Sequence, residues 1–278
     1  MKSVMGKTVL ITGAAMGMGR LFAERAIAER AAAVILWDVA AEALAATTKE
    51  LGKGDVEVTS DVVDVRSLEA IRAAGERVRG DHGDVEVLFN NAGVVRGNRY
   101  FWETDPERDT EFTVAVNTLA PMFVAHEFLP GMVDSRSECR LVNLASAAGF
   151  TANPRMAAYA GSKWAVIGWS DSVRLELAQA DAKHVKVTTV CPYYVKTGMF
   201  DGAKSAPLLP LLEPQDVVDE SWKGMLNGDA FVVMPKTVVL SEMMKGFIPT
   251  DIKDFIADRI IGVYHTMEDF KGRAEQQA

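Results

Sequence analysis

Lys7-Thr8-Val9-Leu10-Ile11-Thr12-Gly13-Ala14-Ala15-Met16-Gly17-Met18-Gly19 decides the fold. A β-branched apolar run enters a glycine-rich turn, and an Ala-rich helical pattern follows from Arg20 to Arg30. Strand, turn and helix in that order bring the unpaired N–H groups of a helix N-terminus to the end of a strand, where they can hold a pyrophosphate. Such turns also occur without a ligand, so this one predicts an architecture before it predicts a cofactor.

Outward from that unit, β-branched runs at Ala33–Asp38, Val56–Asp61, Val85–Asn90, Arg140–Ala145, Val185–Cys191 and Phe231–Met234 alternate with longer helical patterns. The alternation predicts an α/β fold over residues 1–278, a single-domain doubly wound parallel sheet of about seven strands, Rossmann-type. Val85-Glu86-Val87-Leu88-Phe89 is nearly continuous in apolar character, as expected where helices cover both sheet faces. Ligands of such sheets sit beyond the carboxyl ends of the strands, where the Gly13 turn, Asp38, Asn91, Ser146 and Pro192 all fall. The longest irregular stretch, 198–214, reads either as a substrate-binding loop or as a surface excursion. Beyond it, a C-terminal extension over 237–278 begins with an apolar stretch, Thr237 to Ile261, suited to a subunit interface or a membrane surface.

Composition narrows the function classes. A chain of 278 residues can bury about three quarters of its unfolded surface in one core. Its formal charge of −8 disfavours nucleic acid as a partner, so phosphate would be held by backbone N–H groups. Cys139 and Cys191 lie in or beside apolar runs and read as buried reduced thiols, with no disulfide or metal framework implied. The segment Met1–Lys7 carries no apolar run long enough for a signal peptide or membrane helix, so the expectation is a cytoplasmic protein with no integral membrane segment.

Chemistry is suggested by Tyr159-Ala160-Gly161-Ser162-Lys163, preceded by Ser146 at the end of a strand-like run. Residues four apart on a helix share a face, so the Lys163 ammonium can sit beside the Tyr159 phenol and favour its ionised form. A phenol of ordinary pKa near ~10 needs such help to act as a base at neutral pH. The plainer alternative is a helix with an exposed Lys and a half-buried Tyr.

Taken jointly, Thr12-Gly13-x-x-x-Gly17-x-Gly19, Asn90-Asn91-Ala92-Gly93, Asn117, Ser146 and Tyr159-x-x-x-Lys163 resemble the short-chain dehydrogenase/reductase family. The resemblance implies reversible hydride transfer between a nicotinamide and a carbinol carbon. In it Tyr159 moves the proton, Ser146 holds the substrate oxygen, and Lys163 lowers the Tyr159 pKa and bonds the nicotinamide ribose. Asn117 matches the position that anchors a water joining Lys163 to solvent, although a buried Asn bonded to helix backbone reads the same. Gly13, Gly17, Met18, Gly19 and Asn91 would line the dinucleotide.

Asp38, about twenty residues past the glycine turn, can accept hydrogen bonds from ribose hydroxyls and would repel a 2′-phosphate, which favours NAD as cofactor. It could equally cap the helix that starts at Ala41. Asp61 and Val62 resemble the adenine-contacting Asp-Val pair, although Asp61-Val62-Val63-Asp64-Val65 leaves the register open; Asp61 is preferred because it directly follows the strand. After the sixth strand this chain reads Cys191-Pro192-Tyr193-Tyr194-Val195-Lys196-Thr197 where the family usually has Pro-Gly. Pro192 and Val195 are expected to flank the nicotinamide and Thr197 to bond its carboxamide or the phosphates. Tyr193 would narrow or wall the substrate pocket.

Residues Cys191–Phe200, Leu208–Pro214 and the stretch from Ile256 to Arg273 further resemble the retinol dehydrogenase and 17β-hydroxysteroid dehydrogenase branch, which acts on lipophilic alcohols. Members of that branch usually carry an N-terminal anchor, and this sequence reads as a soluble relative. Phe150, Met156, Met199, Phe200, Leu208 and Leu209 are expected to surround an apolar pocket, unless they are ordinary core. Each methylene buried there contributes roughly 0.8 kcal/mol, so a chain binds without a charge partner. The expected substrate is a lipophilic secondary alcohol, a long-chain hydroxy fatty acid or a steroid-like alcohol. A retinol-type primary alcohol and a non-catalytic dinucleotide sensor are the alternatives; an epimerase or dehydratase would need a further substrate domain. The resemblance also implies a homodimer or homotetramer.

Overall fold

The glycine turn stands at the centre of a seven-stranded parallel sheet. The computed structural model describes residues 1–207, 209–239 and 247–272. Strands β1 (Thr8–Thr12), β2 (Ala33–Asp38), β3 (Glu57–Val62), β4 (Val87–Asn90), β5 (Cys139–Leu144), β6 (Val185–Pro192) and β7 (Phe231–Met234) are arranged in the order β3-β2-β1-β4-β5-β6-β7. The order reverses between β1 and β4, so a crevice opens where their following loops diverge.

Helices α1 (Gly17–Ala28), α2 (Ala41–Leu51), α3 (Leu68–His82), α4 (Pro106–Asp134), α5 (Ala157–Gln179) and α6 (Pro214–Asn227) supply the covering layers. A shorter α7 (Thr250–Phe255) continues as a wider π turn over Ile256–Ile260. Sheet and helices form two cores. On one face Leu10, Ile35, Trp37, Leu88 and Leu141 pack against Ile71 of α3, Phe128 of α4 and Val173 of α5. On the other, Val9, Ile11, Val34, Leu36 and Phe89 meet Phe22 of α1, Leu44 of α2 and Trp222 of α6. The five residues of β1 are buried on both faces, which explains its unbroken apolar sequence. Each such Leu, Ile or Val removed from water contributes roughly 1.5–3 kcal/mol.

Strand ends shift by one or two residues from expectation, with physical cause. Val85 and Glu86 precede the ladder, because pairing with β1 begins at Val9↔Val87. At the other end β3 runs on through Val62, which pairs with Asp38. Inside the sheet, Asn90, Asn143 and Thr189 occupy paired positions on β4, β5 and β6. Asn90 Nδ2 donates to Asn143 Oδ1 at 2.9 Å, Asn143 Nδ2 to Ser170 Oγ at 2.9 Å, and Ser170 and Thr189 hydroxyls lie 2.7 Å apart. This polar relay ties α5, and with it Tyr159 and Lys163, to the sheet at a fixed register.

Helix α4 is long and apolar enough, by length and composition, to cross a membrane. Its Val116, Asn117, Thr118, Ala120, Val124, Phe128 and Met132 are buried within the fold. Cys139 and Cys191 are both buried free thiols.

Candidate active site

Beyond the ends of β1, β2 and β4 lies a crevice of about 310 Å³. Its floor is the glycine turn. Gly13 has φ +65 and an added Cβ would come within 2.8 Å of Ala92 Cα; on Gly19 a Cβ would collide with the Gly13 carbonyl oxygen. Gly17 differs, because at φ +59 its missing Cβ faces open crevice, with Thr197 no nearer than 3.8 Å. Two of these glycines thus permit the turn and the third permits the close approach of a ligand. Helix α1 begins here with no side-chain cap and no acidic residue in its first turn, as an anion site requires.

Two side chains brace the turn. Asp38 accepts from the Ala15 N–H at 2.9 Å and from the Ala40 N–H at 3.0 Å while also lining the crevice. The expected capping of α2 by Asp38 is not found: the N-cap is Ala40, with no side-chain cap hydrogen bond. Asn91 Nδ2 donates to the carbonyls of Thr12 at 2.9 Å and Gly13 at 3.0 Å, and Thr12 Oγ1 accepts from the N–H groups of Asn91 and Ala92. Thr12 was legible as part of the motif, but its bracing role follows only from the β1–β4 neighbourhood.

Gly13, Gly17, Met18, Asp38, Asn91 and Thr197 line the crevice, and Gly19 lies outside its lining. Asp61 and Val62 do not line it either. Asp61 pairs with Arg77 of α3 at 2.8 Å, Val62 is 58 % exposed, and Val63, Asp64 and Val65 turn into the crevice instead. Pro192 and Val195 are buried, Val195 bridged to Leu212, and of that set Thr197 is in the crevice lining. Sequence reasoning missed Arg66, Arg96 and Phe112, which line the same crevice from distant parts of the chain. Both guanidinium groups lie over the Phe112 ring, at 4.5 and 3.8 Å from its centroid.

On the far side of the crevice, Ser146, Tyr159, Lys163 and Asn117 converge as expected. Tyr159 and Lys163 are buried, at 4 % and 5 % exposure, on the first turns of α5. The Lys163 ammonium donates to the Leu144 carbonyl at 2.8 Å and lies 5.8 Å from the Tyr159 ring centroid. The expected depression of the Tyr159 phenol by Lys163 is not found here. Burial pushes the phenol above its ordinary value, opposed by the neighbouring Ser146 hydroxyl. Burial likewise pulls Lys163 down from 10.5 to about 8. Ser146 Oγ accepts from the Ala148 N–H at 3.1 Å and donates to the Pro192 carbonyl at 3.4 Å, which fixes its rotamer.

Asn117 sits in the π turn Ala115–Leu119 of α4. It clamps Val94 from both sides, accepting from its N–H at 2.8 Å and donating to its carbonyl at 2.9 Å, and also donates to Ser162 Oγ at 3.1 Å. Ser162 Oγ in turn donates to the Tyr159 carbonyl at 2.7 Å. Asn117 therefore positions the loop after β4 against the catalytic helix. Ser162 had no distinguishing signal in the sequence.

A second cavity of about 170 Å³ starts at Ser146. Tyr193, Tyr194, Leu209, Val238, Ala257 and Ile261 are among its largely apolar walls. Tyr193 thus walls the pocket as expected, its ring 4.3 Å from that of Tyr194. Met156, Met199 and Phe200 pack with Tyr159 in one cluster, the Phe200 ring edge-on to it at 6.0 Å. Phe150 does not join them; it packs with Ala145, Val166 and Cys191 behind the sheet end. Leu208 and Arg273 lie outside the described residues. Stretch 198–214 covers Tyr159 and is itself fastened to the C-terminal extension: Lys204 N donates to the Thr266 carbonyl at 2.9 Å and Lys271 N to the Asp201 carbonyl at 2.8 Å.

A glycine turn at a switch point, joined to a Ser, Tyr and Lys set, is the construction of a short-chain dehydrogenase. The family described as short chain dehydrogenase matches residues 7–207, and the chain belongs to it. Epidermal retinol dehydrogenase 2 of Homo sapiens is 34 % identical over 272 residues, covering 97 % of this chain and 86 % of the relative. Estradiol 17-beta-dehydrogenase 11 of Pongo abelii is 36 % identical over 248 residues, covering 89 % and 81 %. Among solved structures, a short chain dehydrogenase/reductase from Burkholderia phymatum in complex with NAD superposes with a TM-score of 0.80 at 26 % identity, over 88 % of this chain and 95 % of that one. A metagenomic short-chain oxidoreductase in complex with NADP gives 0.69 at 28 % identity, over 83 % and 96 %. The chain is thus an oxidoreductase related to retinol and 17-beta-hydroxysteroid dehydrogenases.

Proposed function

We propose that this protein is an NAD-dependent oxidoreductase that interconverts a lipophilic secondary alcohol and its ketone. The observation that carries the reading is that Ser146 joins the two halves: its hydroxyl neighbours the Tyr159 phenol and it opens the apolar cavity. A carbonyl or carbinol oxygen placed there meets the Ser146 and Tyr159 hydroxyls, with the Lys163 ammonium behind Tyr159.

The crevice fits a dinucleotide, with the open face of Gly17 and the uncapped start of α1 toward the pyrophosphate and Asp38 toward the adenosine ribose. When bound, the nicotinamide supplies or accepts the hydride. Tyr159 moves the proton at its phenolic oxygen, and Ser146 orients the substrate oxygen and stabilises charge that develops on it. Lys163, charged at neutral pH, holds its ammonium at the carbonyl end of β5 and favours the phenolate as Tyr159 releases its proton. Because burial keeps the phenol protonated, Tyr159 is ready to act as an acid in ketone reduction. Reduction therefore persists across neutral pH, and alcohol oxidation rises only as the pH climbs toward the raised phenol value.

Asp38 supports NAD over NADP, since its carboxylate is already held in place by two N–H groups and would repel a 2′-phosphate. The apolar cavity supports a long-chain hydroxy fatty acid or steroid-like alcohol. A retinol-type primary alcohol is the second reading, favoured by the name of the Homo sapiens relative. A homodimer or homotetramer is supported by Leu119 of α4 and Trp164 and Leu175 of α5, which are exposed apolar groups on adjacent helices. The test is the appearance of reduced-nicotinamide absorbance with secondary alcohols graded in chain length, repeated with NADP. Rates that climb with chain length and are confined to NAD support the reading. Clear NAD binding by calorimetry without turnover of any alcohol would leave a dinucleotide sensor.

A further inference from the structure

A third cavity, of about 350 Å³, lies against the catalytic cluster, and its walls have the opposite character to the substrate-side cavity. Arg96, Arg99, Arg108 and Lys271 line it together with a single carboxylate, Asp109. Four cationic side chains against one anionic are concentrated here in a chain whose formal charge is −8. Asp109 is already engaged, accepting from the Asp105 N–H at 3.0 Å and from Arg108 Nε at 3.2 Å. Arg96 is held by the Arg108 carbonyl at 3.4 Å and by the Phe112 ring, and its Nε is buried without a partner. Burial and the neighbouring Arg108 and Arg66 charges disfavour the Arg96 cation, and an anion placed beside it offsets that cost.

Packed apolar side chains stand between the cavity and the reacting centre. Phe270 lines it and packs edge-on against Phe200 at 6.5 Å, and Phe200 packs on Tyr159. Val95, also in its wall, is buried in the same cluster as Tyr159 and Met156. The geometry points to a substrate that ends in a carboxylate, seated among Arg96, Arg99 and Arg108, with an apolar spacer over Val95, Phe200 and Phe270 and the carbinol at Tyr159. Guanidinium forks match a carboxylate's two oxygens, which a steroid-like or retinol-type alcohol does not offer. This rests on the alcohol chemistry assigned above and selects the hydroxy acid within it.

The test is calorimetric titration of the full chain, loaded with reduced cofactor, with decanoate and with methyl decanoate. The wild type binds the acid at least about ten-fold tighter, as one or two charge-assisted hydrogen bonds allow. Arg99→Gln combined with Arg108→Gln abolishes that preference and leaves methyl decanoate binding unchanged, while Arg99→Lys with Arg108→Lys restores part of it. Equal binding of acid and ester by the wild type, or equal weakening of both by the Gln pair, overturns the inference. The preference is read without turnover, so a failure of the alcohol chemistry shows separately, as absence of reaction with any secondary alcohol. If turnover is present, a hydroxy acid has a lower KM than its methyl ester, and the Gln pair raises the first alone.

Discussion

The two sides of the catalytic crevice are built by different means. On the dinucleotide side, backbone atoms make the site: Gly13 and Gly19 are defined by where a Cβ cannot go, Gly17 by the open face it leaves, and Asp38, Asn91 and Thr12 spend their polar atoms on N–H and carbonyl groups. On the substrate side, side chains make it, through the Tyr159, Tyr194, Phe200, Met267 cluster and a few backbone bonds between 198–214 and the C-terminal segment. Backbone geometry is shared by any chain with the right glycines, whereas side-chain walls change with each residue. One half therefore speaks for a class of reaction and the other for a substrate.

The sharpest break of that comparison is Tyr159→Phe, which removes the proton-moving group from the seam between the halves. Turnover should fall by roughly 10²–10⁴-fold with dinucleotide affinity retained, as read by steady-state rates and calorimetry. Substantial residual activity would take the proton-transfer role away from Tyr159. Next is Gly19→Ala, whose added methyl has no space against the Gly13 carbonyl. We expect a loss on the order of 2–4 kcal/mol in denaturant unfolding together with weakened dinucleotide binding, because the turn must open. An Ala variant that unfolds like the wild type would show that the turn is less rigid than drawn.

Lys163→Met sharpens the contrast in the opposite direction. The lysine is charged and buried with a carbonyl as its hydrogen-bond acceptor, so its removal should stabilise the unliganded protein at pH 7 by on the order of 1–2 kcal/mol while abolishing turnover. The sign follows from linkage. The folded lysine titrates at about 8 against 10.5 when unperturbed, so between those values the unfolded chain holds more protons and wild-type stability gains with rising pH. The advantage of the Met variant is thus full below pH 8 and fades toward pH 10.5. Melts of both proteins across that range decide it; a difference that does not change with pH would mean that Lys163 is not held down by burial. The smallest effect on stability is expected from Tyr193→Ala, which trims a cavity wall. Thermal midpoints should move little, while the preferred alcohol becomes longer or bulkier and kcat/KM for it rises several-fold; an unchanged substrate profile would remove Tyr193 from the pocket.

How much of this was legible in the sequence varies with the range of the interaction. The β1 turn and the Tyr159, Lys163 pair lie within a few residues, so their spacing is their geometry. The Asp-Val pair illustrates the opposite. Asp61-Val62 and Asp64-Val65 are the same word twice, and the choice between them is made by pairing of Trp37 with Asp61 and Asp38 with Val62, which carries the strand past the first copy. Phe150 shows the same limit, since its packing with Val166 and Cys191 joins segments distant in sequence.

By itself the sequence determined a parallel α/β sheet, a dinucleotide turn and a Ser, Tyr and Lys set in the order of a short-chain dehydrogenase, because each depends on local spacing and side-chain type. Only the tertiary structure decided which Asp-Val copy meets the crevice, that Asn117 clamps Val94, that burial raises the Tyr159 phenol, and that Arg96, Arg99, Arg108 and Lys271 share one cavity. Those depend on contacts between segments up to 175 positions apart, from Arg96 to Lys271. Desolvation and charge clustering are properties of the space between such segments, which no single stretch of chain encodes.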